Sequence, residues 1–222
     1  MQDPIPKLND AEARVLGVLI EKSLTTPDSY PLSINATLNA CNQKSNRDPQ
    51  VSFVEAEVLV ALQGLVPKFL AGKVISAGSR VEKYRHTAVK TLDLEAVHLA
   101  ILAELMMRGP QAAGELRARV NRMAKTADLA ELSSHLDQLI QRGFVQGVAA
   151  APGSRAPRFA QTLCANLHAI EAPSSMAASP TNTQAAPSAA DAHKPLTGRV
   201  DALEHEVADL RQKLEALLEE LS

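Results

Sequence analysis

The sequence predicts a mainly α-helical protein with small β wings, made of two tandem winged-helix domains and a C-terminal coiled-coil helix. Three observations lead to this fold class. The segment AGSRVEKYRHT at residues 77–87 recurs as PGSRAPRFAQT at residues 152–162. Apolar residues with helical spacing precede both segments in the same order. An unbroken heptad pattern of apolar residues occupies the C-terminal part of the chain.

The first helix of each copy is predicted from a helical apolar pattern that occurs twice. Asp10 and Asp93 stand before the two patterns, where an N-cap or first-turn acid is favoured by unpaired backbone N–H groups and by the helix dipole. The two patterns correspond at a constant offset of 83 residues: Glu12, Leu16, Leu19 and Glu21 match Glu95, Leu99, Leu102 and Glu104.

A short second helix and a third helix follow in each copy. Proline-containing turns, TTPDSYP in the first copy and RGP in the second, separate the first helix from the second. At the third helices, Ser52 with Glu55 and Asp128 with Glu131 have the three-residue spacing of a capping box. We therefore expect a third helix to start at each of these pairs.

A β-hairpin is predicted after each third helix. KFLAGKVIS and RVEKYRHTAV flank Ala77-Gly78 in the first copy, and FVQGVAA and RFAQTL flank Pro152-Gly153 in the second. Each copy thus has the order helix, helix, helix, hairpin, which is the winged-helix arrangement. The first copy has nine additional residues between its first and third helices, in a region that includes the polar run NQKSNRDPQ.

The repeats and the composition divide the chain into four parts. Residues 1–90 and 91–171 form the two predicted winged-helix domains, residues 172–195 form a flexible linker rich in Ala, Pro and Ser, and residues 196–222 form a helix. Apolar residues repeat in this helix at alternating steps of four and three. The pattern favours a parallel coiled-coil homodimer, and a single amphipathic helix packed on the body is the alternative.

Composition and motifs argue against an enzyme and against a metal or cofactor site. The sequence has no HExxH, P-loop, GxGxxG or GxSxG motif, and its six histidines are scattered. Cys41 and Cys164 lie in no CxxC or Cys/His cluster, so that neither a zinc site nor a disulfide framework is predicted. Neither a signal peptide nor an apolar run of about 20 residues is present, and we expect a cytoplasmic protein without membrane contact.

The charge distribution is weak for a dedicated nucleic-acid-binding protein. Residues 1–90 carry a net charge of +2, residues 91–170 of +1 and residues 171–222 of −5. The third helix of the first copy has no Lys or Arg, although base readout commonly uses Arg, Lys, Asn or Gln. Its Val and Leu residues cannot all face one core. They suit burial against a partner protein or between the two copies, and the second use is favoured.

Positive charge lies instead in the polar run, in the first wing, and in the second helix and wing of the second copy. Phosphate contacts from such residues position a protein on nucleic acid without specifying sequence. For any single residue the other interpretation is favoured, a solvated surface whose arginines pair locally or cap helix ends. For Asn42–Pro49 the two interpretations weigh about equally, because consecutive polar residues build no core and are costly to order.

Two segments carry a family resemblance. NQKSNRDP at residues 42–49 and GSRVEKYRH at residues 78–86 resemble the signature segments of the YceH-like bacterial proteins, an uncharacterised family with two winged-helix domains. The resemblance covers roughly residues 8–162. It implies a tandem winged-helix fold, but no activity, substrate or catalytic residue. It marks as site candidates Asn42, Gln43, Lys44, Asn46, Arg47, Arg80, Lys83, Tyr84, Arg85 and His86.

Two functions are compatible with these features. The leading hypothesis is a non-enzymatic, dimeric protein that binds duplex DNA or regulates transcription through the first wing and the Asn42–Pro49 loop. The alternative is a protein–protein interaction scaffold that uses its winged helices as docking faces and does not bind DNA. Salt-dependent binding to duplex DNA distinguishes the two hypotheses.

Overall fold

The computed structural model describes residues 5–75, 81–150, 156–164 and 168. Within these ranges the chain is mainly helical and has two small antiparallel sheets, which is consistent with a winged-helix fold. None of the described helices is long and apolar enough to cross a membrane. The predicted linker and coiled-coil helix fall in residues 172–222 and lie outside the described part.

The secondary-structure elements occur in the same order twice. The first set is α1 (Asp10–Thr25), β1 (Leu32–Ser33), α2 (Ile34–Cys41), α3 (Glu55–Leu65), β2 (Ala71–Val74) and β3 (Lys83–His86). A short helix that was not predicted, α4 (Ala88–Leu92), comes next. The second set is α5 (Ala96–Arg108), β4 (Gln111–Ala112), α6 (Ala113–Val120), α7 (Leu129–Gln141), β5 (Val145–Val148) and β6 (Arg158–Gln161).

Each set contains a three-stranded antiparallel sheet whose last strand lies in the middle. The strand orders are β1-β3-β2 and β4-β6-β5. Tyr84 on β3 pairs with β1 as Phe159 on β6 pairs with β4, so that the repeated sequence segment forms the central strand twice. The short outer strands β1 and β4 were not predicted. Both hairpin tips, residues 76–80 and 151–155, lie outside the described part.

The two sets share one hydrophobic core, which is centred on α1 and α5. These helices pack against each other more extensively than any other pair of elements in the described part. Residues 12–21 of α1 and residues 98–107 of α5 are all buried, because each helix contacts its own set and also the other one. Gly17 permits this approach, since a Cβ atom there would lie 3.1 Å from Cγ of Met107. The first helices thus make the main contact between the copies, and not the third helix of the first copy, which the sequence favoured for this role.

Two helix starts confirm the sequence prediction. α1 begins after Asn9, whose side chain accepts a hydrogen bond from Glu12 N at 2.8 Å, and Asp10 supplies the predicted acid in the first turn. α7 begins after Asp128, whose carboxylate accepts from Glu131 N at 2.8 Å. In each helix an unpaired N–H group of the first turn is thereby satisfied.

Two predicted helix starts are wrong. Asp93 does not cap α5, because it follows α4 with a left-handed φ of 51° and α5 starts further along the chain. Ser52 and Glu55 form no capping box, because α3 begins only at Glu55. The carboxylate of Glu57 instead accepts from Val54 N at 2.8 Å. Two acids stand close together here, and spacing alone does not show which of them caps the helix.

Candidate interaction surfaces

The polar loop of residues 42–50 is held by contacts inside the chain. Nδ2 of Asn42 donates to Phe53 O at 2.8 Å, and Oδ1 of Asn42 accepts from Phe53 N at 2.9 Å. Asp48 N donates to Met107 O on α5 at 2.8 Å. These bonds explain how a segment without apolar residues keeps a defined position without a ligand.

Arg47, a predicted contact residue, forms a buried ion pair. Nη2 of Arg47 lies 2.5 Å from Oε2 of Glu21 on α1, and the side chain is fully buried. The same guanidinium donates to Ala40 O from Nε at 3.1 Å and from Nη2 at 2.9 Å. It also donates to Gln43 Oε1 at 3.0 Å. Arg47 and Gln43 therefore have a structural role, and their contact role stays a prediction.

The ion pair continues across the boundary between the two copies. Arg122 Nη1 lies 2.6 Å from Glu21 Oε1, and Arg122 Nη2 lies 3.2 Å from Glu104 Oε2. Glu21 and Glu104 are acids that correspond in the repeat. Although burial alone would raise the pKa of Glu21, hydrogen bonds and charge from Arg47 and Arg122 lower it. We call this cluster the charged junction: Glu21, Arg47, Glu104 and Arg122.

A further arginine on α1 ties the polar loop to the core. Arg14 is fully buried, and its Nη2 donates to Pro49 O at 2.6 Å. Its Nε and Nη1 atoms have no hydrogen-bond partner in the described part of the chain. Burial, and after it the charge of Arg47, lowers the pKa of Arg14. Burial of this partly unpaired guanidinium beside the charged junction costs free energy. No sequence pattern indicated that Arg14 is buried.

Lys44 and Asn46 are predicted loop residues that remain exposed. Asn46 has a left-handed φ of 58°, and its Oδ1 accepts from Arg108 Nη1 at 3.2 Å. The backbone carbonyl of Lys44 accepts from Gln50 Nε2 at 2.9 Å. Within the loop, the Lys44 ammonium is therefore the cation best placed to meet a ligand.

Only some of the predicted wing residues face solvent. Tyr84 is fully buried, and its hydroxyl donates to Glu82 Oε2 at 3.2 Å. Lys83 is half-buried and Arg85 is exposed, and neither side chain forms a hydrogen bond or ion pair within the described part of the chain. Arg80 lies outside the described residues. Lys83 and Arg85 are thus the cations that the described part of the wing can offer to a phosphate.

His86 lies at the end of β3 in a mostly buried position. Its Nε2 lies 3.0 Å from Ser23 Oγ on α1, and its backbone N donates to Tyr30 Oη at 2.6 Å. Burial lowers the pKa of His86 to about 4. The imidazole is therefore neutral near pH 7 and brings no positive charge to a phosphate contact.

Most arginines in the described part are engaged within the chain. Eight of the nine donate to a carbonyl, amide or carboxylate oxygen of the same chain: Arg14, Arg47, Arg108, Arg117, Arg119, Arg122, Arg142 and Arg158. The ninth is Arg85. Five of the eight also form an ion pair with a carboxylate: Arg47, Arg108, Arg119, Arg122 and Arg142. A phosphate would have to compete with these carboxylates, so that the five are weak candidates for nucleic-acid contacts. For the second copy this is the local pairing that the sequence left open as an alternative.

The third helix of the first set exposes apolar and acidic side chains. Val60 is 65 % exposed, and Phe69, just beyond the helix, is 74 % exposed. Glu55 and Glu57 in the first turn are also exposed, and no Lys or Arg occurs in α3. The excess of apolar residues was predicted, but Phe69 was placed in a strand and its exposure was missed. We call the exposed residues of α3 and of its two ends together the third-helix surface: Val54, Glu55, Glu57, Val60, Val66 and Phe69.

A histidine pair joins α5 and α7 in the second set. His98 Nε2 lies 3.1 Å from His135 Nδ1, and the two rings meet edge to face. Burial, and after it the proximity of His135, lowers the pKa of His98. No group of three His, Cys, Asp or Glu side chains in the described ranges is arranged to hold a metal ion. The pair is thus a packing contact between two helices.

Sequence comparisons relate the chain to proteins of one family. Residues 8–154 match the family model described as protein of unknown function, DUF480. The chain is 38 % identical to the UPF0502 protein YceH of Salmonella typhimurium, Salmonella enteritidis and Salmonella agona. Each match spans 222 residues, which are 97 % of this chain and 98 % of the relative. The family match includes the polar loop, the charged junction and the third-helix surface.

Proposed function

The chain belongs to the YceH-like family described as protein of unknown function, DUF480, and on that premise we propose that it is a non-enzymatic adaptor that docks a partner protein on the third-helix surface. In this proposal the two sets of elements are tandem winged-helix domains. The C-terminal heptad segment pairs two copies in the cytoplasm, which gives the adaptor two docking surfaces.

The exposure of the third-helix surface carries this proposal. A winged helix that reads DNA generally inserts its third helix into the major groove, where it needs donors for bases and cations for phosphates. Here that helix offers Val60 to solvent at 65 % exposure, together with two carboxylates. Carboxylates repel phosphates, whereas exposed apolar side chains gain free energy when a protein partner covers them.

The hydrogen bonding of the arginines also favours protein docking over nucleic-acid binding. The sequence alone favoured nucleic-acid binding. Nucleic-acid affinity grows with the number of cations that are free to neutralise phosphates. In the described part, one arginine, Arg85, has a side chain without an intrachain hydrogen bond, and His86 is neutral. Protein docking therefore accounts for more of the exposed chemistry than nucleic-acid binding does.

Nucleic-acid binding through the first wing remains a second candidate function, favoured by one observation. Lys83 and Arg85 lie on the central strand β3, and their side chains form no hydrogen bond or ion pair within the described part of the chain. Exposed Lys44 adds a third cation in the polar loop. Such residues would contact the phosphate backbone without reading sequence. A function of this kind would show a steep loss of DNA affinity with added salt.

Capture from a native lysate with matched variants tests the proposal. The full-length protein, Val60→Glu and the double variant Lys83→Ala/Arg85→Ala are immobilised, and the retained proteins and nucleic acids are quantified by mass spectrometry and sequencing. We expect specific proteins to be retained by the full-length protein and by the double variant, and to be lost with Val60→Glu. Val60 is 65 % exposed, so that its substitution leaves the fold intact.

The contrary pattern would refute protein docking through α3. In that case Val60→Glu would retain the same proteins as the unmodified chain, and the double variant would lose bound nucleic acid. That result would make the first wing the contact surface and restore the nucleic-acid hypothesis to first place.

A further inference from the structure

The second set of elements binds two residues of the polar loop. Asn46 Oδ1 accepts from Arg108 Nη1, at the end of α5, at 3.2 Å. Asp48 N donates to Met107 O on the same helix at 2.8 Å. His168, which follows β6, donates from Nε2 to Asp48 O at 2.6 Å, since a carbonyl oxygen can only accept. Asp48 is therefore held by the second set through both its N–H and its C=O group.

The position of His168 depends on a glycine. Gly109 follows α5 with a positive φ of 77°, a conformation that favours glycine. A Cβ atom at this position would lie 2.5 Å from Cδ2 of His168, so that any larger residue would displace the ring. The imidazole thus lies directly against the backbone at the end of α5.

The first set binds the loop residues that alternate with these two. Arg47 pairs with Glu21 on α1 at 2.5 Å, and Pro49 O accepts from Arg14 Nη2 on the same helix at 2.6 Å. From Asn46 to Pro49, successive residues are therefore bound by the second set, the first set, the second set and the first set. The segment thus lies along the boundary between the two sets.

The corresponding loop of the second set is shorter. Residues 42–54 join α2 to α3, whereas residues 121–128 join α6 to α7. Arg122 of the shorter loop also crosses the boundary, since its Nη1 lies 2.6 Å from Glu21 Oε1. The greater length of the loop in the first set thus coincides with the segment that the second set binds.

From this alternation we propose that residues 46–49 form a seam through which the second set fixes the conformation of the polar loop. Lys44 lies two residues before the seam, so that a displacement of the second set would move its exposed ammonium group. The seam is thus a conformational device that couples the two sets. This inference goes beyond the docking function, because none of these residues belongs to the third-helix surface.

Hydrogen exchange of the full-length protein tests the seam. The test variant is Arg108→Ala/His168→Ala, which removes two side-chain donors to the seam. The control variant is Arg119→Ala/His135→Ala, a matched pair whose side chains bind within the second set and not to the polar loop. Exchange is followed by mass spectrometry on peptides that cover residues 42–50.

The polar loop of the test variant should exchange about tenfold or more faster than that of the unmodified chain, because two hydrogen bonds that hold the seam are lost. The control variant also loses hydrogen bonds, so that it separates release of the loop from a general loss of stability. We expect its loop to exchange at the rate of the unmodified chain. Equal exchange of the loop in the test and control variants would overturn the proposal.

The loop side of the same contact provides a second variant. Asn46 is exposed and has a φ of 58°, which glycine accepts, so that Asn46→Gly keeps the fold and removes the acceptor for Arg108. Exchange of the loop should rise about fivefold, with no further rise when Arg108→Ala is added, because both substitutions remove one contact. Fully additive effects would show that Asn46 and Arg108 act separately, which would contradict the seam.

Discussion

Removal of the Arg47 side chain should destabilise the fold strongly. Arg47→Ala takes away the guanidinium that lies 2.5 Å from Glu21 Oε2 and that donates twice to Ala40 O. Breaking a buried ion pair from one side costs about 3–5 kcal/mol, because the remaining charge stays buried. Arg122 still lies 2.6 Å from Glu21 Oε1 and compensates part of that charge. We therefore expect the lower end of the range, about 3 kcal/mol.

Urea unfolding followed by circular dichroism measures this loss. With a slope of about 2 kcal/mol per M, a loss of about 3 kcal/mol lowers the midpoint by about 1.5 M. Lys44→Ala is the matched control, since Lys44 is an exposed cation of the same loop. Its substitution should change stability by no more than about 0.5 kcal/mol. A double-mutant cycle with Glu21→Gln should give a coupling free energy of about 1–3 kcal/mol.

Equal stability of Arg47→Ala and the unmodified chain would refute the structural role of this residue. A midpoint within the error of the Lys44→Ala control would mean that the ion pair contributes nothing to folding. The polar loop would then be free to use Arg47 as a ligand contact, as the sequence proposed.

Two further predictions concern acid sensitivity and helix packing. Because burial lowers the pKa of His86 to about 4 from 6.5, the folded state binds fewer protons than the unfolded state, and stability is lost as pH falls through this interval. The loss of unfolding free energy should reach about 3 kcal/mol near pH 4. His86→Gln should flatten the pH dependence of the urea midpoint. An unchanged pH dependence would contradict the conclusion that burial of neutral His86 causes the loss. Gly64→Ala should lower the thermal midpoint, because its Cβ would overlap the Glu12 carboxylate, whereas Gly114→Ala, in a helix with open space around it, should raise stability by about 0.5–1 kcal/mol. Equal effects of the two substitutions would show that the Glu12 contact does not restrict Gly64.

The repeated order of elements could be predicted because it depends on local patterns. Tyr84 and Phe159 correspond in the repeat, and they occupy equivalent positions on the central strands of the two separate sheets. The helical stripes of α1 and α5 were found for the same reason. Strands of two residues, such as β1 and β4, are too short to show a period, and their existence depends on the neighbouring strand.

The charged junction could be predicted only in part. The acids Glu21 and Glu104 correspond in the repeat and stand within apolar helices, which is a signal for buried partners. Their partners Arg47 and Arg122 come from loops, and sequence spacing does not show that these side chains turn inward. The polar run was therefore interpreted as a binding loop, although most of its hydrogen bonds serve the fold.

The exposed ring of Phe69 could not be predicted, because its signal lies in the backbone. In the sequence, Phe69 and Leu70 read as the start of a strand. The left-handed φ of Phe69 turns its ring outward, while Leu70 is fully buried. The backbone at this turn is held by hydrogen bonds from Thr87, the N-cap of α4, and from Thr91 within α4, a helix that no pattern predicted.

Site-specific photo-cross-linking in living cells tests the central claim most directly. A photoreactive amino acid is placed at position 60 on α3 or at position 85 on β3 of the full-length protein, and the cross-linked molecules are identified. Docking through the third-helix surface predicts discrete protein adducts from position 60 and few adducts from position 85. Nucleic-acid adducts from position 85, with none to protein from position 60, would contradict it.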